Sequence, residues 1–136
     1  MQGMEALYEK AIEYFNNGYF FEAHDTFEEL WMDDRDEAKR FYQGLVQLST
    51  GFYHLVMKNL KGAESQLTKG VEKLSSYPPV YHGLKVSEII SDVEGCVGHI
   101  HRARNESMEM DEIVKSIPKL KRDQSTKRRR EEHGKS

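Results

Sequence analysis

The chain has a single cysteine, Cys96, among its 136 residues. A lone thiol cannot close an internal disulfide, so nothing here calls for an oxidising compartment. Proline is almost as scarce. Pro78, Pro79 and Pro118 are the full set, and all three lie outside the periodic segments. Long hydrophobic runs are missing as well. The longest stretch without Asp, Glu, Lys or Arg, from Phe41 to Met57, contains Gln43, Gln47, Ser49, Thr50, Gly44, Gly51 and His54. It is too short and too polar to span a membrane. Met1 to Glu5 lead into an acidic amphipathic segment, not a signal-peptide core. These absences predict a cytoplasmic protein with no membrane partner. Alternation of β-branched residues is nearly absent too, which excludes a sheet-based fold.

Charge is plentiful but uneven, with 20 basic against 23 acidic residues. Seven of the basic and three of the acidic residues fall in 121–136, leaving 13 against 20 for the remainder, a net charge of about −7. A body of that sign repels phosphate backbones, so the core is a poor nucleic-acid surface. The segment after 121 has no apolar side chain to offset the entropy of ordering. The sequence therefore predicts one helical domain over 1–120 and a disordered charged tail over 121–136. The run Lys127-Arg128-Arg129-Arg130, followed at once by Glu131-Glu132, reads as a solvated part of that tail.

Apolar residues recur at helical spacing throughout. Helices are predicted over 4–16, 19–32, 37–57, 60–75 and 85–103, with a short turn near 110–116. The inward residues are Leu7, Ala11, Ile12 and Phe15 in the first, and Phe20, Ala23, Phe27, Leu30 and Trp31 in the second. Asn16-Asn17-Gly18 ends the first helix, and Asn59 caps the fourth. Ser75-Ser76-Tyr77-Pro78-Pro79 is the clearest loop. A shift of 40 residues superposes Ala11 on Gly51, Phe15 on Leu55, Phe20 on Leu60, Ala23 on Ala63, Phe27 on Leu67 and Trp31 on Val71. The expected fold is all-α, a compact bundle of five to six helices built on two tetratricopeptide-like hairpins.

The third helix is the strongest pointer to a site. A helix free of charge on every side is expected to be buried on every side. Phe41, Leu45, Leu48, Phe52 and Leu55 form its apolar stripe, while Gln43, Gln47 and His54 share a different face beside Gly44 and Gly51. Those glycines suggest close approach by a backbone or a ligand. In the second helix His24 falls among Phe20, Phe27 and Trp31, with Glu28 one turn on. Spacing of i, i+4 suits a carboxylate–imidazole bond or two ligands to one divalent metal. Three readings stay open: a structural hydrogen-bond network, a metal site of His24 and Glu28 with His54 as a further candidate ligand, and a metal-free pocket for a small molecule. Elsewhere, His99 and His101 point to opposite sides of a helix, Cys96 reads as a core thiol, and Tyr77, Tyr81 and His82 flank the Pro-Pro loop.

Phe15-Asn16-Asn17-Gly18-Tyr19-Phe20-Phe21-Glu22-Ala23-His24-Asp25 and Glu28-Glu29-Leu30-Trp31 resemble the opening signature of the bacterial and archaeal domain of unknown function 309 family. Gln43-Gly44-Leu45-Val46-Gln47 and Asn59-Leu60-Lys61-Gly62-Ala63 match its next two blocks in order. The resemblance runs from about Leu7 to Leu74, and more loosely to about Val93. It implies a compact all-α fold and a label of metal-dependent hydrolase, with the polar signature falling on Glu22, His24, Glu28, Trp31, Gln43 and Gln47. Asp25 stands where the family commonly has Glu.

Together these readings set one expectation and one rival. The expectation is a buried polar site between the second and third helices. His24 and Glu28 would be catalytic and metal-ligating, Gln43, Gln47 and His54 ligand-binding, and Trp31 a wall. The rival is a non-enzymatic interaction module with a groove for a peptide or a partner helix. The sequence leaves the oligomeric state open.

Overall fold

A computed structural model describes residues 3–33, 37–105 and 110–123. It has six helices: α1 (Met4–Asn16), α2 (Phe20–Asp33), α3 (Ala38–Val56), α4 (Leu60–Leu74), α5 (Val86–Asn105) and α6 (Met110–Lys115). No strand occurs among the described residues, only bridges at Tyr81–Leu84 and Leu84–Arg122. The chain is an all-α bundle, and each helix packs on the next in sequence. No described helix is long and apolar enough to cross a membrane. Of the expected polar connection 33–36, residues 34–36 lie outside the described residues.

The turns follow from local chemistry. Gly18 adopts a φ of 84°, the left-handed conformation that ends α1. Asn59 caps α4 by accepting from the Gly62 N–H at 2.9 Å. Three residues join α1 to α2 and three join α3 to α4, so each pair runs antiparallel. The 40-residue correspondence survives in the packing. Ala23 and Ala63 are fully buried, as are Phe27 and Leu67, and Ala11 and Gly51 are both buried.

The core is built around α3, whose Phe41, Leu45, Leu48, Phe52 and Leu55 are at most 1 % exposed. Its glycines meet α4 directly. A Cβ on Gly44 would sit 3.3 Å from the Gly70 carbonyl oxygen, and one on Gly51 would sit 2.6 Å from Leu67 Cγ. Glycine at these positions therefore lets α3 and α4 approach closely, and a Cβ at Gly51 would have to displace Leu67. Phe15, Phe20 and Phe52 close the α1–α2–α3 junction, with centroids 5.1 to 5.7 Å apart.

Several expected positions shift. Leu7 packs half-buried against the core as expected, and the neighbouring Tyr8 is buried more deeply. The Tyr8 hydroxyl donates to the His82 carbonyl at 2.8 Å, a partner only the tertiary fold supplies. Residues 121–123, expected to open the charged tail, are instead paired with the body. The Lys85 N–H donates to the Lys121 carbonyl and the Asp123 N–H to the Gly83 carbonyl, both at 2.8 Å. Main-chain pairing seats 121–123 without any need for apolar side chains, and 124–136 lie outside the described residues.

Candidate functional site

The six expected site residues, His24, Glu28, Trp31, Gln43, Gln47 and His54, are all half-buried. This corrects the expectation of a buried polar site. The reason lies in α3, which buries one broad face and leaves the stripe Gln43, Val46, Gln47, Thr50, Tyr53 and His54 partly open to solvent. These residues are uncharged because they lie on a neutral surface stripe, not because they are enclosed.

His24 has carboxylates at both ring nitrogens. Nδ1 lies 3.1 Å from Asp25 Oδ1, and Nε2 lies 3.3 Å from Glu28 Oε2. The side chains are 28 % (His24), 61 % (Asp25) and 44 % (Glu28) exposed, so these pairs sit in high dielectric and add little to stability. The expected His24–Glu28 pairing is thus present, on the surface. The i, i+4 spacing creates it, and the neighbouring Asp25 takes the second nitrogen.

The remaining residues are held separately. Gln47 Oε1 accepts from Lys73 Nζ at 2.8 Å across the α3–α4 seam. Asn59 Nδ2 lies 3.4 Å from His54 Nδ1 at the foot of α4. Trp31 carries Lys39 Nζ 5.3 Å from its ring centroid, a cation–π contact between α2 and α3. Gln43 lies half-buried on the same α3 stripe. Among the described residues no group of three or more His, Cys, Asp or Glu side chains is placed to hold a metal ion. His99 and His101 diverge as expected: His99 pairs with Arg102 at 2.6 Å and His101 with Glu64 at 3.2 Å. Cys96 is buried, and burial pushes its thiol above the ordinary range. The aromatics at 77–82 are packing residues. The Tyr77 hydroxyl accepts from the Phe41 N–H and donates to the Glu37 carbonyl, and His82 stacks on Tyr42 with an interplanar angle of 13°.

Sequence reasoning missed a set of exposed apolar side chains beside these residues. Tyr19 (56 %), Phe21 (53 %) and Met57 (62 %) are open to solvent at the α1–α2 and α3–α4 turns. Phe21 links the two, its ring 6.2 Å from His24 and 5.7 Å from Tyr53. The available signal was Phe20-Phe21: by the helical period Phe21 falls off the inward stripe of Phe20, Ala23, Phe27 and Leu30. Alongside, α2 carries Glu22, Asp25, Glu28, Glu29 and Asp33 and no Lys or Arg. The surface is therefore a neutral polar floor with aromatic anchors at one end and an acidic flank.

Known proteins place this surface in a family context. The chain is 25 % identical over 96 residues to an uncharacterized protein of Aquifex aeolicus (strain VF5), covering 69 % of this chain and 29 % of that protein. It is 27 % identical over 73 residues to the uncharacterized protein YpuF of Bacillus subtilis (strain 168), covering 53 % of this chain and 42 % of that one. The matched region spans less than half the length of either curated relative. No solved structure matches significantly. The family model of the domain of unknown function DUF309 matches residues 8–66, from Tyr8 in α1 to Gln66 in α4 and so across all six expected site residues, and in that segment the chain is similar to the DUF309 family.

Proposed function

We propose that this chain is a protein-interaction module, with the outer faces of α2 and α3 as the docking surface for a segment of a partner protein. The uncharged, half-buried stripe of α3 carries the reading. In a chain with 32 % charged residues, a solvent-reached stripe from Gln43 to His54 without one charge is inexpensive to desolvate. Phe21 and Met57 supply anchors of the kind that dominate interface energies. The carboxylates of α2 favour a partner segment bearing basic side chains. Paired helical hairpins present such faces in repeat-type modules, so the tetratricopeptide-like reading of the fold belongs to this proposal.

Site-directed photocrosslinking tests it. A crosslinker at Thr50 on the stripe should capture a partner that one at the exposed Glu94 on α5 does not. Capture should fall in a Phe21→Ser/Met57→Ser variant and persist in His24→Ala. Equal capture from both positions would reject the docking surface.

One observation favours a second reading. His24 between two carboxylates provides a base and two oxygen donors, so a divalent metal held by His24 and Glu28 with a third ligand would be a hydrolytic centre. Gln43, Gln47 and His54 would then contact a small-molecule substrate, with Trp31 as a wall. Elemental analysis of tag-free protein decides the matter. Near-stoichiometric metal lost in His24→Ala/Glu28→Ala supports the hydrolase. Protein that stays metal-free after reconstitution leaves the interaction module alone.

A further inference from the structure

The last described stretch, residues 117–123, is held unlike any helix. It is non-helical, and its main chain is bonded from two sides. On one side the Asn16 amide makes both bonds to Leu120. Its Oδ1 accepts from the Leu120 N–H at 2.7 Å, and its Nδ2 donates to the Leu120 carbonyl at 3.2 Å. On the other side residues 83–85 form an antiparallel bridge, bonding to the Lys121 carbonyl and the Asp123 N–H. Side chains then select for sequence. Leu120 is 2 % exposed. Lys121 Nζ is 2.6 Å from Asp92 Oδ2, and Arg122 Nη2 is 2.6 Å from Glu9 Oε1. Main-chain pairing for affinity and side-chain pockets for specificity are how proteins take up peptides. These partners are distant in sequence: Asp92 is 29 positions from Lys121, and Glu9 is 113 from Arg122. The segment is seated like a separate peptide.

The seat fits its occupant imperfectly. Arg122 Nη1 is buried with no hydrogen-bond acceptor among the described residues. Both ion pairs are more than a third exposed, so they hold weakly.

We propose that residues 117–123 are the built-in occupant of a peptide-binding groove made by Glu9, Asn16, Gly83, Lys85 and Asp92. When the segment lifts, the groove takes up a stretch of a partner protein with the pattern apolar–basic–basic. The chain's own Leu120-Lys121-Arg122 defines that pattern. A tethered occupant competes at an effective concentration of about millimolar, which keeps the groove closed until the segment is loosened. Lifting also uncovers a reporter. Ser116 Oγ lies 3.5 Å from Cys96 Sγ. Ser116, Pro118 and Lys121 wall a cavity of about 320 Å³ whose other side includes Asp92, Cys96 and His99.

The test uses the full chain and a fluorescent peptide of residues 117–123. Lys121→Glu/Arg122→Glu loosens the segment without touching the core, and Leu120→Asp loosens it further. Fluorescence polarisation should show each released variant binding the peptide at least about tenfold more tightly than the native chain. Cys96 alkylation should accelerate in step. Adding Asn16→Ala to a released variant should abolish binding, and a peptide carrying Glu at both basic positions should not bind. If Leu120→Asp does not fold by circular dichroism, the double variant carries the test. Released variants that expose Cys96 yet ignore the peptide, or bind it equally without Asn16, overturn the groove. A released variant that dimerises and excludes the peptide overturns the partner assignment in favour of a second copy of the chain.

Discussion

The two halves of the molecule share one hydrophobic core but differ in the polar ties added to it. From α1 to α4, apolar side chains interdigitate and helix backbones meet at glycine, with Gly44 and Gly51 against α4 and Gly70 against α3. From residue 75 onward Leu84, Ile89, Val93, Ile100 and Leu120 extend the same core, and side-chain hydrogen bonds that reach back across the sequence are added to it. Tyr8 holds His82, Tyr77 holds Phe41 and Glu37, Asn16 holds Leu120, and Glu64 holds His101 and Arg104. Close packing tolerates no change of volume, whereas polar ties are individually modest and replaceable. The first half therefore behaves as a close-packed platform, and the second packs its own apolar residues on it and adds polar fastenings.

The largest effect should come from the platform's centre. Phe52→Ala removes a fully buried ring at the junction of three helices and should cost about 3–5 kcal/mol in urea unfolding. A loss under about 1 kcal/mol would break the contrast. Gly51→Ala comes next, because its Cβ would stand 2.6 Å from Leu67. Overpacking there should cost about 1–3 kcal/mol. Third is Tyr8→Phe, which removes one fastening and should cost about 1 kcal/mol near neutrality.

Tyr8 also makes the contrast depend on pH. Burial holds its phenol far above the ordinary range. The fold thus accepts only the neutral form, while the unfolded tyrosine ionises near pH ~10. The stability linked to Tyr8 is intact below that pH and is lost as pH rises above it. Alkaline denaturation should flatten in Tyr8→Phe, and ultraviolet titration should find one fewer late-ionising tyrosine. The smallest effect has the opposite sign. A Cβ on Gly95 in α5 meets open space, so Gly95→Ala should stabilise by about 0.5–1 kcal/mol. The same substitution would then act oppositely in the two halves.

The same division decides what was legible in the sequence. Periodicity located five helices to within a residue or two, because each inward stripe, such as Phe41, Leu45, Leu48, Phe52 and Leu55, repeats at helical spacing. It also anticipated close approach at Gly44 and Gly51. The His24–Glu28 pair was readable because its partners sit on one helix. Their depth was not. An uncharged stretch reads alike whether a helix is enclosed or leaves a neutral stripe open, and only packing distinguishes the two. The fastenings were invisible for a related reason. Nothing around Asn16 or Tyr8 in the sequence indicates a carbonyl more than 70 residues away.

The Asn16–Leu120 pair spans 104 residues, and that separation sets an order of folding events. Closing so long a loop is entropically slow until intervening structure shortens the search. The α3–α4 contact forms across a turn of three residues and needs no such help. Pulsed hydrogen exchange during refolding should therefore protect α3 and α4 amides first and the Leu120 amide last. Leu120 protection that appears as early as that of α3 would refute this order. If the order holds, the newly made protein passes through a stage in which the platform is complete and its closing strap has yet to arrive.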